Sequence, residues 1–435
     1  MKELGEARGI ARFNLPSTSC SPPVGTICEA VSNAPIPFHR VWQSGEELRY
    51  LAEAMAVGIE SDGRFTKACA EWLERRFRIA RVLPTPSCTA ALEMAALLAG
   101  LGPGDEVIMP SFTFTSTANA VVLRGAQPIF VDIRTDTLNI DERLIEAAIT
   151  PRTKAIIVVH YAGVACEMDT IRRIASGHEL LLVEDAAQAV DAFYRGRALG
   201  SLGDLAAFSF HATKNCVSGE GGALCINDPH LIERAEIIRE KGTNRSRYIR
   251  GETKKYEWVD LGGSHLPSEL SCAFLYAQLQ HLDVIRARRQ EIYRLYQLGL
   301  SALAETGDLQ LPHVPSECDS NHHLFHVLLP DVAVRDALKA HLTQHQIGAA
   351  SHYVPLHISP MGRSLGYRSG LLPVTESIHE RLLRLPLYVG LTPTEAHIVV
   401  ERVHEFFRTA ATHVSAPHLT RLTPVPVDSL SSKLI

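Results

Sequence analysis

The chain has 435 residues, 46% of them hydrophobic and 21% charged, which is the balance of an ordinary globular protein with room for two or three domains. Its net charge of -5 argues against a nucleic-acid partner, and no apolar run approaches the roughly 18 residues that a membrane helix needs. The first twenty residues lack the apolar stretch of a secretory leader, and the nine cysteines include no C-x-x-C pair, so we expect a reduced, cytoplasmic protein.

Residues 1–34 are rich in Ser, Pro and Gly and predict a loose N-terminal extension, and residues 411–435 predict a similar C-terminal tail. Between them, short apolar runs alternate with helical stretches such as TAALEMAALLAG and DERLIEAAIT. The runs that we interpret as strands are EVIMP, PIFVDI, KAIIVVHYAG, LLLVED, LAAFSF and GALCIN. This alternation predicts an α/β fold with a mostly parallel central sheet between helices.

A long helical periodicity over residues 268–305 leads into a second region of mixed pattern. There we expect a strand at HLFHVLLP, a helix at RDALKAHLTQHQ, a strand at ASHYVPL and a helix at EAHIVVERVHEFFRTA. The chain is therefore predicted to form a large domain over residues 35–285 and a smaller C-terminal α/β domain over residues 286–410.

Two early segments carry candidate binding residues. In PTPSCTAALEMAALLAG a helix begins after Pro and Ser, so the N–H of Cys88 and the N–H and hydroxyl of Thr89 could hold a phosphate; an ordinary helix cap is the alternative. In PSFTFTSTANA, Phe112 and Phe114 alternate after a strand, and one of them could stack on a ring while the other joins the core.

Two later segments end apolar runs with reactive side chains. LLLVEDAAQA places Asp185 at a strand end with Glu184 on the opposite face, and SFHATKN places Ser209 and Lys214 after the next strand. Ligands of open parallel sheets lie beyond such strand ends. A lysine amine that forms a Schiff base with an aldehyde, and an aspartate that keeps a pyridine nitrogen protonated, suit pyridoxal phosphate.

These runs together resemble the DegT/DnrJ/EryC1/StrS sugar aminotransferases, which have the type I fold of pyridoxal phosphate-dependent aminotransferases. SFHATKN with GEGG, VEDAAQA and PSCTAALEMAALL carry the resemblance, supported by VHYAGVACEMDTI and RLLRLPLY. It covers roughly residues 36–410. Within the family, the likeness is greatest to the dTDP-4-amino-4,6-dideoxygalactose transaminases.

The resemblance implies a role for each matching residue. Lys214 would bind the cofactor aldehyde and carry the proton, and Asp185 would pair with the pyridine nitrogen. Gln188 would contact the ring hydroxyl, Phe114 would stack on the ring, and Cys88, Thr89 and Ser209 would hold the phosphate. The role of His160 in VHYAG is open, since it could face the cofactor or be a structural histidine.

The resemblance further implies a homodimer with active sites at its interface, which moves an amino group from L-glutamate to C4 of the nucleotide-linked sugar dTDP-4-keto-6-deoxyglucose. Arg245, in the basic stretch 242–255, could bind the sugar diphosphate, and His357 could line the sugar pocket; a solvated basic loop is the alternative for the former. A 3-keto sugar aminotransferase, a deoxysugar dehydratase and a non-catalytic sensor stay open. No metal is expected.

Overall fold

The computed structural model describes residues 34–60 and 62–413, so the predicted N-terminal extension and C-terminal tail lie outside the described residues apart from their inner ends. The strands are β1 (Arg81–Thr85), β2 (Glu106–Pro110), β3 (Gln127–Val131), β4 (Thr153–Val159), β5 (Leu181–Asp185), β6 (Phe193–Tyr194), β7 (Arg197–Ala198), β8 (Leu205–Ser209), β9 (Gly222–Ile226), β10 (Cys318–Asp319), β11 (Phe325–Leu328) and β12 (Leu382–Leu385).

The helices follow the pattern expected between strands. They are α1 (Glu47–Val57), α2 (Arg64–Phe77), α3 (Cys88–Leu98), α4 (Thr115–Val122), α5 (Met168–Gly177), α6 (Ile232–Arg239), α7 (Arg245–Ile249), α8 (Glu269–Gln280), α9 (Leu282–Gly299), α10 (Ser301–Glu305), α11 (Val332–Gln344), α12 (Pro360–Ser364), α13 (Pro373–Arg381) and α14 (Pro393–His413).

The central sheet has seven strands in the order β1-β9-β8-β5-β4-β2-β3. β8, β5, β4, β2 and β3 run parallel to one another, whereas β9 runs antiparallel to both β1 and β8. All six apolar runs interpreted as strands belong to this sheet, and the predicted α/β architecture is confirmed. The carboxyl ends of β4, β5 and β8 therefore lie side by side at one edge.

Both faces of the sheet are buried, which explains why its strands are continuously apolar. Successive side chains alternate between two cores: Ile108 belongs to the core under α1, α2, α5 and α8, and Val107 and Met109 belong to the core under α3, α4 and α6.

A third core lies around the antiparallel pair β11 and β12, between α9, α11 and α14. The segment after residue 34 joins this core, since the N–H of Ile36 donates to Gln346 O (3.0 Å) and its carbonyl accepts from Gly348 N (2.9 Å). Three residues later, His39 Nε2 lies 2.6 Å from Ala212 O in the loop after β8. The boundary at residue 285 stays a prediction.

The helical periodicity over 268–305 is confirmed as three successive helices, α8, α9 and α10, but two other sequence predictions were wrong. DERLIEAAIT forms two 3-10 turns, Glu142–Leu144 and Glu146–Ala148, because Asp141 caps a tight turn by accepting from Arg143 N and Pro151 disfavours helix before it. ASHYVPL is not a strand; its only pairing is the bridge between Ala350 and Arg384.

Sequence reasoning also left out β12, which the structure places in the smaller core. In the part of the chain that the structure describes, no helix has the length and apolarity needed to cross a bilayer.

Candidate active site

A cavity of about 690 Å³ opens at the carboxyl ends of β4, β5 and β8. Seven of the nine site residues predicted from the sequence line this cavity, although they come from four separate segments of the chain. They are Cys88, Thr89, Phe114, Asp185, Gln188, Ser209 and Lys214. The topology of the sheet brings them together, because each follows a strand end or begins the helix after one.

Lys214 lies in the loop that joins β8 to the antiparallel β9. The loop is tied across its base, since Phe210 N donates to Gly221 O (2.8 Å) and Ser218 N donates to Phe210 O (2.8 Å). The N–H of Lys214 itself donates to His211 O at 2.9 Å. Burial lowers the pKa of Lys214, against the opposing pull of the Asp185 and Cys88 charges. The lysine is therefore a cavity amine rather than a solvated surface charge.

Asp185 ends β5 and is 4% exposed. Its Oδ2 accepts from the hydroxyl of Thr117 (2.7 Å) and its Oδ1 accepts from Ala187 N (3.2 Å). Thr113 Oγ1 lies 2.8 Å from Thr117 Oγ1 and extends this chain of hydroxyls. Burial raises the pKa of Asp185, while the bond from Thr117 and the charge of Lys214 act in the opposite direction. A cation bound at this carboxylate would favour its ionised form.

Glu184 points away from the cavity, as its neighbouring position on a strand predicts. It accepts from His160 Nε2 at 2.9 Å, and His160 Nδ1 accepts from Cys166 N at 3.2 Å. Both ring nitrogens of His160 are thus engaged below the sheet edge, and the structural interpretation of His160 holds.

Gly222 brings Ser209 close to the start of α3. Gly222 pairs with Ser209 on one side and with Thr85 on the other, so Ser209 lies next to the turn that leads into α3. A Cβ at Gly222 would collide with the backbone of Ser87 and Cys88, so only glycine lets the strand and helix approach this closely.

The first N–H groups of a helix have no partner inside it and attract anions. Ser87 caps α3 by accepting from Ala90 N (3.1 Å), and Thr89 Oγ1 lies 2.6 Å from Ser116 Oγ. Ser209 lines the same cavity as these groups, so hydroxyl and N–H donors face one another there. Ser116 was not foreseen from the sequence.

Gln188 is held at both ends of its amide. Its Oε1 accepts from Ala162 N (2.7 Å), and its Nε2 donates to the hydroxyl of Tyr353 (2.8 Å). Tyr353 lines the cavity and stacks on His352 with ring centroids 3.7 Å apart. The wrongly predicted strand ASHYVPL is therefore an irregular segment that delivers two rings to the cavity.

The two phenylalanines have different places. Phe112 is 1% exposed and packs against Tyr161, with ring centroids 5.1 Å apart, whereas Phe114 is 60% exposed and lines the cavity at the start of α4. Phe114 is thus the ring available for stacking.

The structure does not bring Arg245 or His357 to this cavity. Arg245 donates to Glu240 at 2.9 Å on α7. His357 has no exposed surface, because Nδ1 lies 2.8 Å from Ser111 Oγ and Nε2 lies 2.9 Å from Glu376 Oε1. These two contacts give His357 a structural role and contradict its predicted place in the sugar pocket.

Four further cavity residues come from segments with little functional signal in the sequence. His39 follows the N-terminal stretch without periodicity, and His323 and His352 lie in HLFHVLLP and ASHYVPL, which we interpreted as strands. Arg384 lies within an apolar strand. All four line the same cavity as Lys214.

Comparison with known proteins agrees with this geometry. The profile of the DegT/DnrJ/EryC1/StrS aminotransferase family matches residues 43–404. The spore coat polysaccharide biosynthesis protein SpsC of Bacillus subtilis is 36% identical over 390 residues, which are 86% of this chain and 98% of that protein.

Solved structures show the same likeness. The aminotransferase TlmJ from Streptoalloteichus hindustanus has a TM-score of 0.80 at 31% identity, with 86% of this chain and 100% of that chain covered. The PLP form of the putative sugar aminotransferase Spr1654 from Streptococcus pneumoniae has a TM-score of 0.80 at 25% identity, over 86% of this chain and 99% of that one.

Proposed function

This chain belongs to the DegT/DnrJ/EryC1/StrS aminotransferase family, and we propose that it moves an amino group from L-glutamate to C4 of dTDP-4-keto-6-deoxyglucose, which yields dTDP-4-amino-4,6-dideoxygalactose. Its family and its relatives make it a pyridoxal phosphate-dependent sugar aminotransferase. The observation that carries the proposal is the meeting of Lys214 and Asp185 in one cavity.

The donors of the cavity fit pyridoxal phosphate. We propose that the start of α3 (Cys88 and Thr89) and Ser209 hold its phosphate, because they line the same cavity and the N–H groups at the start of a helix attract anions. Asp185, whose carboxylate accepts a hydrogen bond from Thr117, would pair with the pyridine N–H. Phe114 would cover the ring, and Gln188 would meet its hydroxyl.

When bound, the cofactor supplies an electron sink that makes the proton on the amino-bearing carbon acidic. Lys214 is the group that would bind the cofactor aldehyde, and when displaced by the donor amine it would take that proton. Burial favours this role because it lowers the pKa of Lys214 and leaves more of the amine neutral near pH 7.

We further propose a homodimer with the active sites at its interface. Apolar side chains stand exposed in and after α7, among them Ile249 (64%), Trp258 (78%) and Leu261 (53%), as expected for a surface covered by a second subunit. Arg245 lies in the same stretch, so its proposed contact with a sugar diphosphate would be made in the partner's cavity. Sedimentation of the purified protein tests the assembly.

The test of the function is the visible absorption of the holoenzyme in two steps. Glutamate is added first, and the excess donor is then removed before dTDP-4-keto-6-deoxyglucose is added. We expect the band of the lysine-bound cofactor to disappear with glutamate and to return with the sugar.

Each other result has a definite meaning. If the band disappears with glutamate but does not return with dTDP-4-keto-6-deoxyglucose, this sugar is not the amino acceptor, and a 3-keto sugar is tested next. Amination at C3 in the isolated product contradicts the proposed position. Absence of the band after cofactor is supplied contradicts the role of Lys214.

A further inference from the structure

Two histidines and a carboxylate form a cluster at the surface of the third core, and none of the three lines the active-site cavity. His341 lies in α11, His345 directly follows that helix, and their ring centroids are 4.5 Å apart. Glu405 approaches them from α14, because Leu342 and Val403 are buried in the same core and pack the two helices together. One nitrogen or oxygen atom from each of the three residues lies within 4.8 Å of the other two.

The two histidines have ring nitrogens that are available as ligands. His345 Nδ1 donates to the carbonyl of His341 (2.9 Å), so the neutral ring carries its proton on Nδ1 and presents a bare Nε2. A bond of this kind also orients the ring of a metal-binding histidine. His341 Nε2 is buried without a hydrogen-bond partner. Burial and the charge of His345 lower the pKa of His341, which favours the neutral ring that a metal needs.

Glu405 supplies the negative charge of the cluster. The hydrogen bond from Arg402, on the same helix, lowers the pKa of Glu405, so its carboxylate is ionised at neutral pH. This bond is made to Oε2, which leaves Oε1 for a further partner. Arg402 and a bound cation would share the carboxylate, and each would weaken the hold of the other.

Two neutral imidazoles and a carboxylate are ligands that zinc prefers, whereas calcium and magnesium prefer sites made of oxygen atoms alone. Ligand atoms around a tetrahedral zinc ion lie about 3.3 Å apart, and rotation of the exposed His345 side chain can close the present spacing. We propose that His341, His345 and Glu405 bind Zn²⁺, with water as the fourth ligand. Sequence reasoning expected no metal, but Glu405 is distant in the chain from both histidines, so local spacing does not reveal the cluster.

A zinc ion at this cluster would join α14, the last helix that the structure describes, to α11. Any ion that binds the folded chain and not the unfolded one stabilises the fold by its binding free energy. The ion would therefore stabilise the packing of these two helices on β11 and β12. The site takes no part in amino transfer, so the proposal does not rest on the function proposed above.

The test is a zinc titration of the full-length holoenzyme without an affinity tag, in competition with a chromogenic chelator. We expect the wild type to bind zinc, and the affinity to fall at least about 10-fold in His345→Ala and in Glu405→Gln. His397→Ala is the matched control. His397 is also an exposed histidine whose Nδ1 donates to a backbone carbonyl, that of Pro393 (2.7 Å), but it lies outside the cluster, so this variant should bind zinc as the wild type does.

Arg402→Gln gives an expectation of the opposite sign. It removes the cation that competes for the carboxylate of Glu405, so zinc should bind about 2- to 5-fold more tightly. A thermal readout does not depend on the chelator. Zinc should raise the melting temperature of the wild type and of His397→Ala but not of His345→Ala, and without zinc all three should melt alike, because both histidines are exposed.

Four results would overturn the proposal. They are absence of zinc binding by the wild type, equal affinity of the wild type and His345→Ala, weaker binding by Arg402→Gln, and a loss in His397→Ala as large as the loss in His345→Ala. The last result would show that zinc binds to scattered surface histidines. Loss of amino transfer in any assay leaves these outcomes unchanged, since none of the measurements uses turnover.

Discussion

Glu184 lies directly behind Asp185, with no exposed surface, and its carboxylate is expected to be the largest single polar contribution to the stability of this sheet edge. Oε1 accepts from the backbone of Leu202 (2.7 Å) and Gly203 (2.6 Å), and Oε2 accepts from the backbone of Gly200 (2.8 Å) and from His160 (2.9 Å). All four partners are donors.

Glu184→Gln keeps the shape of the side chain but turns one acceptor into a donor. Whichever oxygen is replaced, two bonds are lost and two N–H groups face an NH₂ group. His160 cannot rescue its bond by moving its proton, because its Nδ1 accepts from Cys166 N. At about 1–3 kcal/mol for each buried donor left unsatisfied, the substitution should lower the free energy of unfolding by about 2–6 kcal/mol.

The assay is urea unfolding of the full-length protein without cofactor, followed by far-UV circular dichroism. Glu71→Gln is the matched control: the Glu71 side chain is 62% exposed and lies 3.6 Å from Arg75, so its loss should cost well under 1 kcal/mol. A loss below about 1 kcal/mol for Glu184→Gln would refute the bond count on which the magnitude rests.

The pH dependence gives an independent check. Burial raises the pKa of Glu184, but the bonds from His160, Gly200 and Gly203 outweigh it, so the net shift is downward. A carboxyl with a depressed folded pKa stabilises the fold above its unfolded pKa of about 4.3, and this stability is lost as the pH falls through the folded value. The gap between wild type and Glu184→Gln should therefore narrow below about pH 4.3.

Three predictions concern the cavity itself. Asp185→Asn should raise the melting temperature of the cofactor-free protein at pH 8 more than at pH 4. The reason is that burial raises the pKa of Asp185, so ionisation of this carboxyl opposes folding as the pH rises. Equal shifts of the melting temperature at both pH values would contradict this. Thr117→Val should weaken cofactor binding about 10-fold in a fluorescence titration, since it removes a bond to the Asp185 carboxylate; unchanged affinity would show that the bond is dispensable. Lys214→Ala should abolish the band of the lysine-bound cofactor and slow the glutamate half-reaction at least about 100-fold in single-turnover measurements, and a rate near wild type would assign the proton transfer elsewhere.

The part of the cavity that the central sheet builds could be predicted because its signals are local. Asp185 and Lys214 follow buried strands that are neighbours in a parallel sheet, so their side chains must emerge at the same edge. The start of α3 carries its own cap signal at Ser87. In each case, the chemistry and the element that positions it lie within a few residues of each other.

The rest could not be predicted because it depends on packing between distant segments. Tyr353 reaches Gln188 across 165 positions, and Arg384 sits in a run, LLRLPL, whose local pattern indicates only a core strand. His357 illustrates the opposite error: the resemblance suggested a sugar-pocket residue, but Glu376 and Ser111 bind both of its nitrogens. Local pattern cannot show which partner a polar side chain finds.

The short stretch from Ile36 to His39 connects one wall of the cavity to the loop that carries Lys214. One end of it is bonded to Gln346 and Gly348, beside the core of β11 and β12, and the other end touches the carbonyl of Ala212, two residues before Lys214. A movement of β11 and β12 away from the central sheet would either displace the lysine loop or break one of these attachments. The position of Lys214 is in this way coupled to the packing of β11 and β12 against the central sheet.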